Sequence, residues 1–351
     1  MDAWIETFIG DLAWPWLAGA IALCIMVLGK GADWLVEEAV ALSERMSVPK
    51  VIIGATVVSL GTTMPEAAVS VLAAWQGDPS LALGNAVGSI ICDTGLILGV
   101  ACLISPLPLP PNIVNRQGWL QLGAGLLLVA ACFPWQSPAT VFAEGGRLAQ
   151  WVGWGFLVLL AGYLWLSAMW ARREKDTGQL EDLETDVSSP VVYVLGKLAV
   201  AVVLVVAASH LLIPSVKEVA ERLSVPDEVI AATLVAFGTS LPELVTAVTA
   251  ARHGHGDLAV GNIVGADILN VLFVAGAAAA ITPEGLVASP HFFHFFFPAM
   301  LFVLIVFRVG VFVSGDRLSR RFGFVLLGAY VLVTVLSYME SQLDDMVKRL
   351  L

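Results

Sequence analysis

The sequence predicts an all-α polytopic membrane protein: about ten transmembrane helices in two inverted five-helix repeats, with broken helices at the midplane, given the ~20 apolar residues that each crossing needs. Three observations lead there. Hydrophobic residues make up 58% of the 351 positions and charged residues only 13%, against roughly a quarter charged in soluble domains. Apolar runs long enough to span hydrocarbon recur along the whole chain. One of them is interrupted by GTTMPEAAVS (Gly61 to Ser70), and near Gly238 the chain reads GTSLPELVTA.

The runs fall near 14–36, 50–74, 81–104, 118–135, 150–170, 190–213, 227–250, 258–281, 291–313 and 322–340. Asp2 and Glu6 precede the first without a basic segment, and no small-residue cleavage site follows, so it is expected to stay in the mature chain rather than act as a signal peptide. Cys24, Cys92, Cys102 and Cys132 lie in or beside apolar runs without paired metal-ligand spacing, which argues against a disulfide framework or a zinc site. Lys30 and Asp33, three apart, are expected to form a snorkelling ion pair. The five histidines fall at span ends or in loops and are expected to be interfacial.

Between the fifth and sixth runs lies RREKDTGQLEDLETD (Arg172 to Asp186), which contributes to the net charge of −11. It has no periodic apolar face and reads as a solvated, flexible connector. The domain division is therefore 1–171, a linker at 172–189, and 190–351. No extramembrane domain is left to hold an enzyme, and no cofactor, nucleic acid or obligate protein partner is inferred. Arg45, Lys50, Arg116, Arg172, Arg173, Lys175, Arg252, Arg317, Arg320 and Arg321 fall on one side of the bilayer, against Arg147, Lys217, Arg222, Lys348 and Arg349 on the other. The richer side is expected to be cytoplasmic, which puts both termini outside, most simply in a plasma (inner) membrane.

Shifted by 177 positions, the separation of Gly61 and Gly238, ERMSVPKVIIGATVVSLGTTMPE aligns with ERLSVPDEVIAATLVAFGTSLPE, and ALGNAVGSII with AVGNIVGADI, without a gap. Five spans separate equivalent positions, and an odd number reverses the direction of threading, so the halves are inverted. Inverted repeats with interrupted helices are the pattern of secondary transporters, with the ion site between the copies. Pro65 lacks an amide hydrogen and crowds the carbonyl four residues back, so the helix is expected to open around Gly61 and release carbonyls near Ser59 to Thr62. Pro242 imposes the same on Ala236 to Thr239.

Glu66 and Glu243 follow at once. A carboxylate at the bilayer centre costs on the order of 3 kcal/mol on insertion scales, and two of them demand a counter-charge. A hard cation fits: Ca²⁺ takes about 6–8 oxygens, and the two copies offer Glu66, Glu243, Thr62, Thr239 and the freed carbonyls. In the spans that follow, Ser89 and Asp93 lie four apart, as do Ala266 and Asn270, so each pair shares a helix face that can meet the carboxylates. For Asn85 and Asn262, interhelical hydrogen bonding and ion contact stand as equal alternatives.

GTTMPE with GNAVGSIICD, and GTSLPE with GNIVGADILN, resemble the α-repeats of the sodium/calcium exchangers in the cation/calcium antiporter superfamily. The resemblance covers both repeats and their spacing. It implies ten helices and alternating access, with Na⁺ entry driving Ca²⁺ out. Carried over by position, it implies central carboxylates at Glu66 and Glu243, hydroxyl ligands at Thr62, Thr63, Thr239, Ser240 and Ser89, carbonyl ligands at Ser59 and Ala236, and a site completed by Asp93 and Asn270. The chain departs from the pattern in three places. The archaeal exchangers place Asn in the first repeat and Asp in the second, the reverse of Asp93 and Asn270. Ala266 stands where a serine is usual, and Asp267 faces Ile90 in the repeat alignment.

Other readings fit less well. GHGD (Gly254 to Asp257) matches the GxGD of intramembrane aspartyl proteases, but Asp257 lies at a loop edge and its duplicate is Ser80. A cation channel has little need of inverted broken-helix repeats. A proton-coupled exchanger typically carries a carboxylate where Gly88 and Gly265 stand, and a potassium-dependent one is not separated by sequence.

Overall fold

The computed structural model describes residues 7–176, 191–223 and 238–350. The chain is almost entirely helical there. Seven helices are long and apolar enough to cross a membrane, or eight if the bent pair Lys50–Thr62 and Met64–Trp75 is one span. In chain order the elements are α1 (Trp14–Met46), α2 (Lys50–Thr62), α3 (Met64–Trp75), α4 (Pro79–Ile104), α5 (Pro111–Cys132), α6 (Gln150–Asp176), α7 (Val191–Arg222), α8 (Leu241–Arg252), α9 (Gly256–Ile281), α10 (Phe292–Ser314) and α11 (Arg320–Leu350). The polar segment after the fifth run is thus partly helical, since α6 carries through Asp176. The rest of that segment, and residues 224–237 of the seventh run, lie outside the described residues.

α1 and α7 pack along one another at the periphery. α4 and α9 form the centre: 72% and 89% of their most apolar stretches are buried in protein, against about a third or less for α1, α6, α7 and α11. Small residues set the closest crossing. A Cβ on Gly261 would stand 2.2 Å from the Val51 carbonyl, and one on Gly265 would stand 2.5 Å from Ala55 Cα, so α9 can meet α2 backbone to backbone only with glycine at both positions. At one end of this crossing, Lys50 Nζ lies 3.1 Å from His255 Nδ1. Burial, then the Lys50 charge, lowers the His255 pKa, which suits a neutral ring nitrogen accepting from the ammonium.

Two short antiparallel ribbons tie the halves together. β1 (Leu107–Pro108), after α4, pairs with β4 (Arg317–Leu318), between α10 and α11. β2 (Gly146–Leu148), between α5 and α6, pairs with β3 (Leu286–Ala288), after α9. Each ribbon joins the loop after the central helix of one half, α4 or α9, to the loop before the last helix of the other, so exchanging the halves exchanges the ribbons.

Two local features differ from the sequence reading. The break in the first motif falls at Thr63, between α2 and α3, with a 44° bend, rather than at Gly61. The reason is that proline is well tolerated in a helix's first turn, where its missing N–H is unneeded; Pro65 starts α3 instead of destroying α2. Lys30 and Asp33 also part company: Lys30 sits 5.9 Å from the Trp34 ring and Asp33 approaches His253 at 3.6 Å.

Candidate ion-binding site

The two motifs build the same corner. Thr63 (φ −82°, ψ −1°) and Ser240 (φ −85°, ψ 9°) take nearly the same turn, each followed by a helix with proline in its first turn and a glutamate directly after it. The turn buries Glu66 and Glu243, each 1% exposed, at helix starts, where backbone N–H groups point toward negative charge.

Hydroxyl and amide groups then cross between the halves. Thr62 Oγ1 donates to Asn262 Oδ1 at 3.4 Å, and its counterpart Thr239 Oγ1 donates to Asn85 Oδ1 at 3.3 Å. Thr63 Oγ1 donates to Glu243 Oε1 at 3.3 Å. Asn270 Nδ2 donates to Asp93 Oδ2 at 3.4 Å; these two residues are equivalent in the repeat, so they meet where the halves face each other. All four bonds are long for hydrogen bonds. Asn85 also holds its own half, donating to Ser70 Oγ at 3.0 Å and to the Glu66 carbonyl at 3.3 Å. Both asparagines therefore act as interhelical ties, and Ser70, which the sequence reading did not single out, anchors one of them.

The oxygens that remain define the site's chemistry. Glu66 Oε1 and Oε2, Glu243 Oε2, Asp93 Oδ1, Asn270 Oδ1 and Ser240 Oγ are buried without a hydrogen-bond partner among the described residues. Glu66, Glu243 and Asp93 are all buried. Ser89 is buried on α4. The Ser59 carbonyl is already engaged, accepting from the Thr63 amide at 2.9 Å, although a carbonyl oxygen has a second lone pair. Ala236 lies outside the described residues. No preformed cluster of three or more His, Cys, Asp or Glu side chains exists among the described residues; the oxygens come instead from carboxylates, hydroxyls and amides on separate helices.

Sequence reading also missed a regularity around these groups. Both central helices loosen into a π turn at the same place, Cys92–Ile97 in α4 and Asn270–Ala275 in α9, starting at or just before the Asp93/Asn270 pair. Such π turns concentrate at functional sites, and no local sequence signal marks them.

This arrangement agrees with what comparison with known proteins finds. The family described as sodium/calcium exchanger protein matches residues 16–169 and 193–339. The chain belongs to the sodium/calcium exchanger family. It is a multi-pass membrane protein of a transporter family, not of an enzyme family. It is 30% identical over 333 residues to Inner membrane protein YrbG of Escherichia coli, covering 92% of this chain and 98% of that one. It is 29% identical over 355 residues to Sodium/calcium exchanger MaX1 of Methanosarcina acetivorans, covering 91% and 97%. A solved structure of the sodium-calcium exchanger NCX_Mj, soaked with 10 mM Na⁺ and zero Ca²⁺, superposes with a TM-score of 0.74 at 26% identity, covering 91% of this chain and 98% of that one.

Proposed function

We propose that this family member is a secondary active antiporter in which Na⁺ and Ca²⁺ compete, by alternating access, for one oxygen-lined site between the two copies of the motif. The observation that carries the reading is the pair Glu66 and Glu243. Both are buried, and three of their four carboxylate oxygens lack a hydrogen-bond partner among the described residues. Such charges are costly inside a membrane, and a bound cation offsets that cost. Ca²⁺ balances both carboxylates at once, whereas each Na⁺ balances one, so displacing a calcium takes more than one sodium. An empty site leaves the charges uncompensated, which disfavours passage of the unloaded carrier and couples the two ions.

The ligand set in this reading is Glu66, Glu243, Asp93, Asn270, Thr62, Thr63, Thr239, Ser240 and Ser89, with the carbonyls of Ser59 and Ala236. The frame is ten helices in two inverted five-helix repeats, 1–171 and 190–351, joined by a cytoplasmic linker at 172–189, with both termini extracytoplasmic. The reciprocal ribbons and the matched corners support it. The test is ⁴⁵Ca²⁺ uptake into vesicles reconstituted with the whole chain, under Na⁺, K⁺ and H⁺ gradients imposed in turn. Uptake driven by outward Na⁺ alone is expected. Uptake that follows only the H⁺ or K⁺ gradient replaces sodium as the coupling ion, and uptake without any counter-gradient indicates a channel.

A further inference from the structure

A second buried polar cluster lies beside the central site and belongs to one side of the repeat only. Asp267 on α9 is 2% exposed. Its Oδ2 accepts from Gln121 Nε2 of α5 at 2.5 Å and from the Thr94 hydroxyl of α4, and Gln121 Nε2 also reaches Thr94 Oγ1 at 3.0 Å. An amide N–H is a donor only, so Gln121 donates to both oxygens and leaves the Thr94 hydrogen for Asp267. One carboxylate oxygen thus takes two donors, which fixes the orientation of the carboxylate. The other, Oδ1, is buried and has no partner among the described residues, where Asp267 also forms no ion pair. In the repeat alignment Asp267 corresponds to Ile90, and Thr94 to Val271, so the equivalent place on the other side is apolar.

The charge lies within reach of the central site. Asp93, which bonds Asn270, directly precedes Thr94, whose hydroxyl reaches Asp267. Asn270 follows Asp267 by three positions, so the two share a helix face, and Asn270 Oδ1 and Asp93 Oδ1 are likewise buried without partners among the described residues. We propose that Asp267, aimed by Thr94 and Gln121, is an additional ligand for a monovalent alkali cation, bound through Asp267 Oδ1 together with the free oxygens of Asn270 and Asp93. A single added carboxylate suits a single positive charge.

The inference rests on the exchanger reading, and the two are tested separately in one titration of the purified full chain. ⁴⁵Ca²⁺ bound to wild type is displaced with NaCl, KCl and N-methyl-D-glucamine chloride, then measured again with Asp267→Asn. The exchanger reading requires that wild type bind Ca²⁺ and release it to an alkali cation; failure of that step overturns the reading itself. Given that release, the inference predicts that Asp267→Asn keeps its Ca²⁺ binding but needs about tenfold more Na⁺ or K⁺ for half displacement, about 1.4 kcal/mol, with a shallower curve. A displacement curve unchanged in steepness and midpoint overturns it. If Asp267→Asn no longer binds Ca²⁺, Gln121→Leu decides: it keeps the carboxylate and removes one aiming donor. A weaker alkali-cation midpoint in that variant supports the site, and an unchanged one overturns it.

Discussion

The two copies of the motif share a backbone but not a polar filling. Around Thr63 and Ser240 the turns match within about ten degrees in each dihedral, and each copy reaches across with one threonine to the other's asparagine. The side chains beyond that frame differ. Glu243 receives a hydroxyl from Thr63, whereas both oxygens of Glu66 lack partners and so does Ser240 Oγ, the equivalent of the Thr63 donor, among the described residues. The acid of the Asp93/Asn270 pair lies in the first copy, and the extra acid Asp267 lies in the second. Duplication supplies a corner that bends the chain and buries a glutamate; substitution then redistributes charge around it.

That comparison is broken first by removing either glutamate. Glu66→Gln and Glu243→Gln are each expected to abolish Ca²⁺ exchange, because each deletes a charge that the divalent ion balances, while folded protein is still recovered from the membrane. Vesicle ⁴⁵Ca²⁺ flux checks it, and near wild-type transport in either variant removes that residue from the site.

A smaller effect distinguishes charge count from charge position. Asp93→Asn alone is expected to impair exchange badly, and Asp93→Asn combined with Asn270→Asp to recover measurable flux, since the two residues face each other at 3.4 Å. A dead double variant beside a healthy single one contradicts this.

The asparagines sharpen the comparison on the stability side. Asn85 makes contacts to Ser70, Glu66 and Thr239, whereas Asn262 accepts from Thr62 and leaves its amide nitrogen unpartnered among the described residues. A buried group that loses its partner costs about 1–3 kcal/mol, so Asn85→Ala should lower the thermal unfolding midpoint in detergent more than Asn262→Ala. Equal losses would mean that the ties are equivalent despite their different partners.

The smallest effect concerns Ala266, buried at the position that the hydroxyl-bearing Ser89 holds in the first copy. Ala266→Ser adds an oxygen and is expected to lower the sodium concentration for half-maximal exchange, up to about tenfold for ~1.4 kcal/mol, with Ca²⁺ affinity moving less. A sodium titration of Ca²⁺ efflux measures it; an unchanged curve indicates that Asp267 already fills the role.

Much of this was legible before any coordinates. Pro65 and Pro242 marked the corners, and Glu66 and Glu243 announced buried charge. The position of the break was not, because proline can open a helix or begin one, and only the surrounding packing selects between them. The π turns left no trace in composition. The Asp267 cluster was hidden by distance: Thr94 and Gln121 are 173 and 146 residues away in sequence, and Gln121 lies on α5, a helix whose buried polar residues also leave it outside the set apolar enough to be counted as a crossing.

The central claim is that one divalent ion sits between the two copies, held by Glu66 and Glu243. The most direct test is a crystal structure of the whole chain soaked with Sr²⁺, with the ion located by its anomalous scattering. One strong peak is expected between the two glutamates, at roughly the 2.3–2.6 Å oxygen distances of a calcium-type site, and none in a crystal of Glu66→Gln grown and soaked in the same way. A peak centred on Asp267, or one that survives intact in Glu66→Gln, contradicts the account.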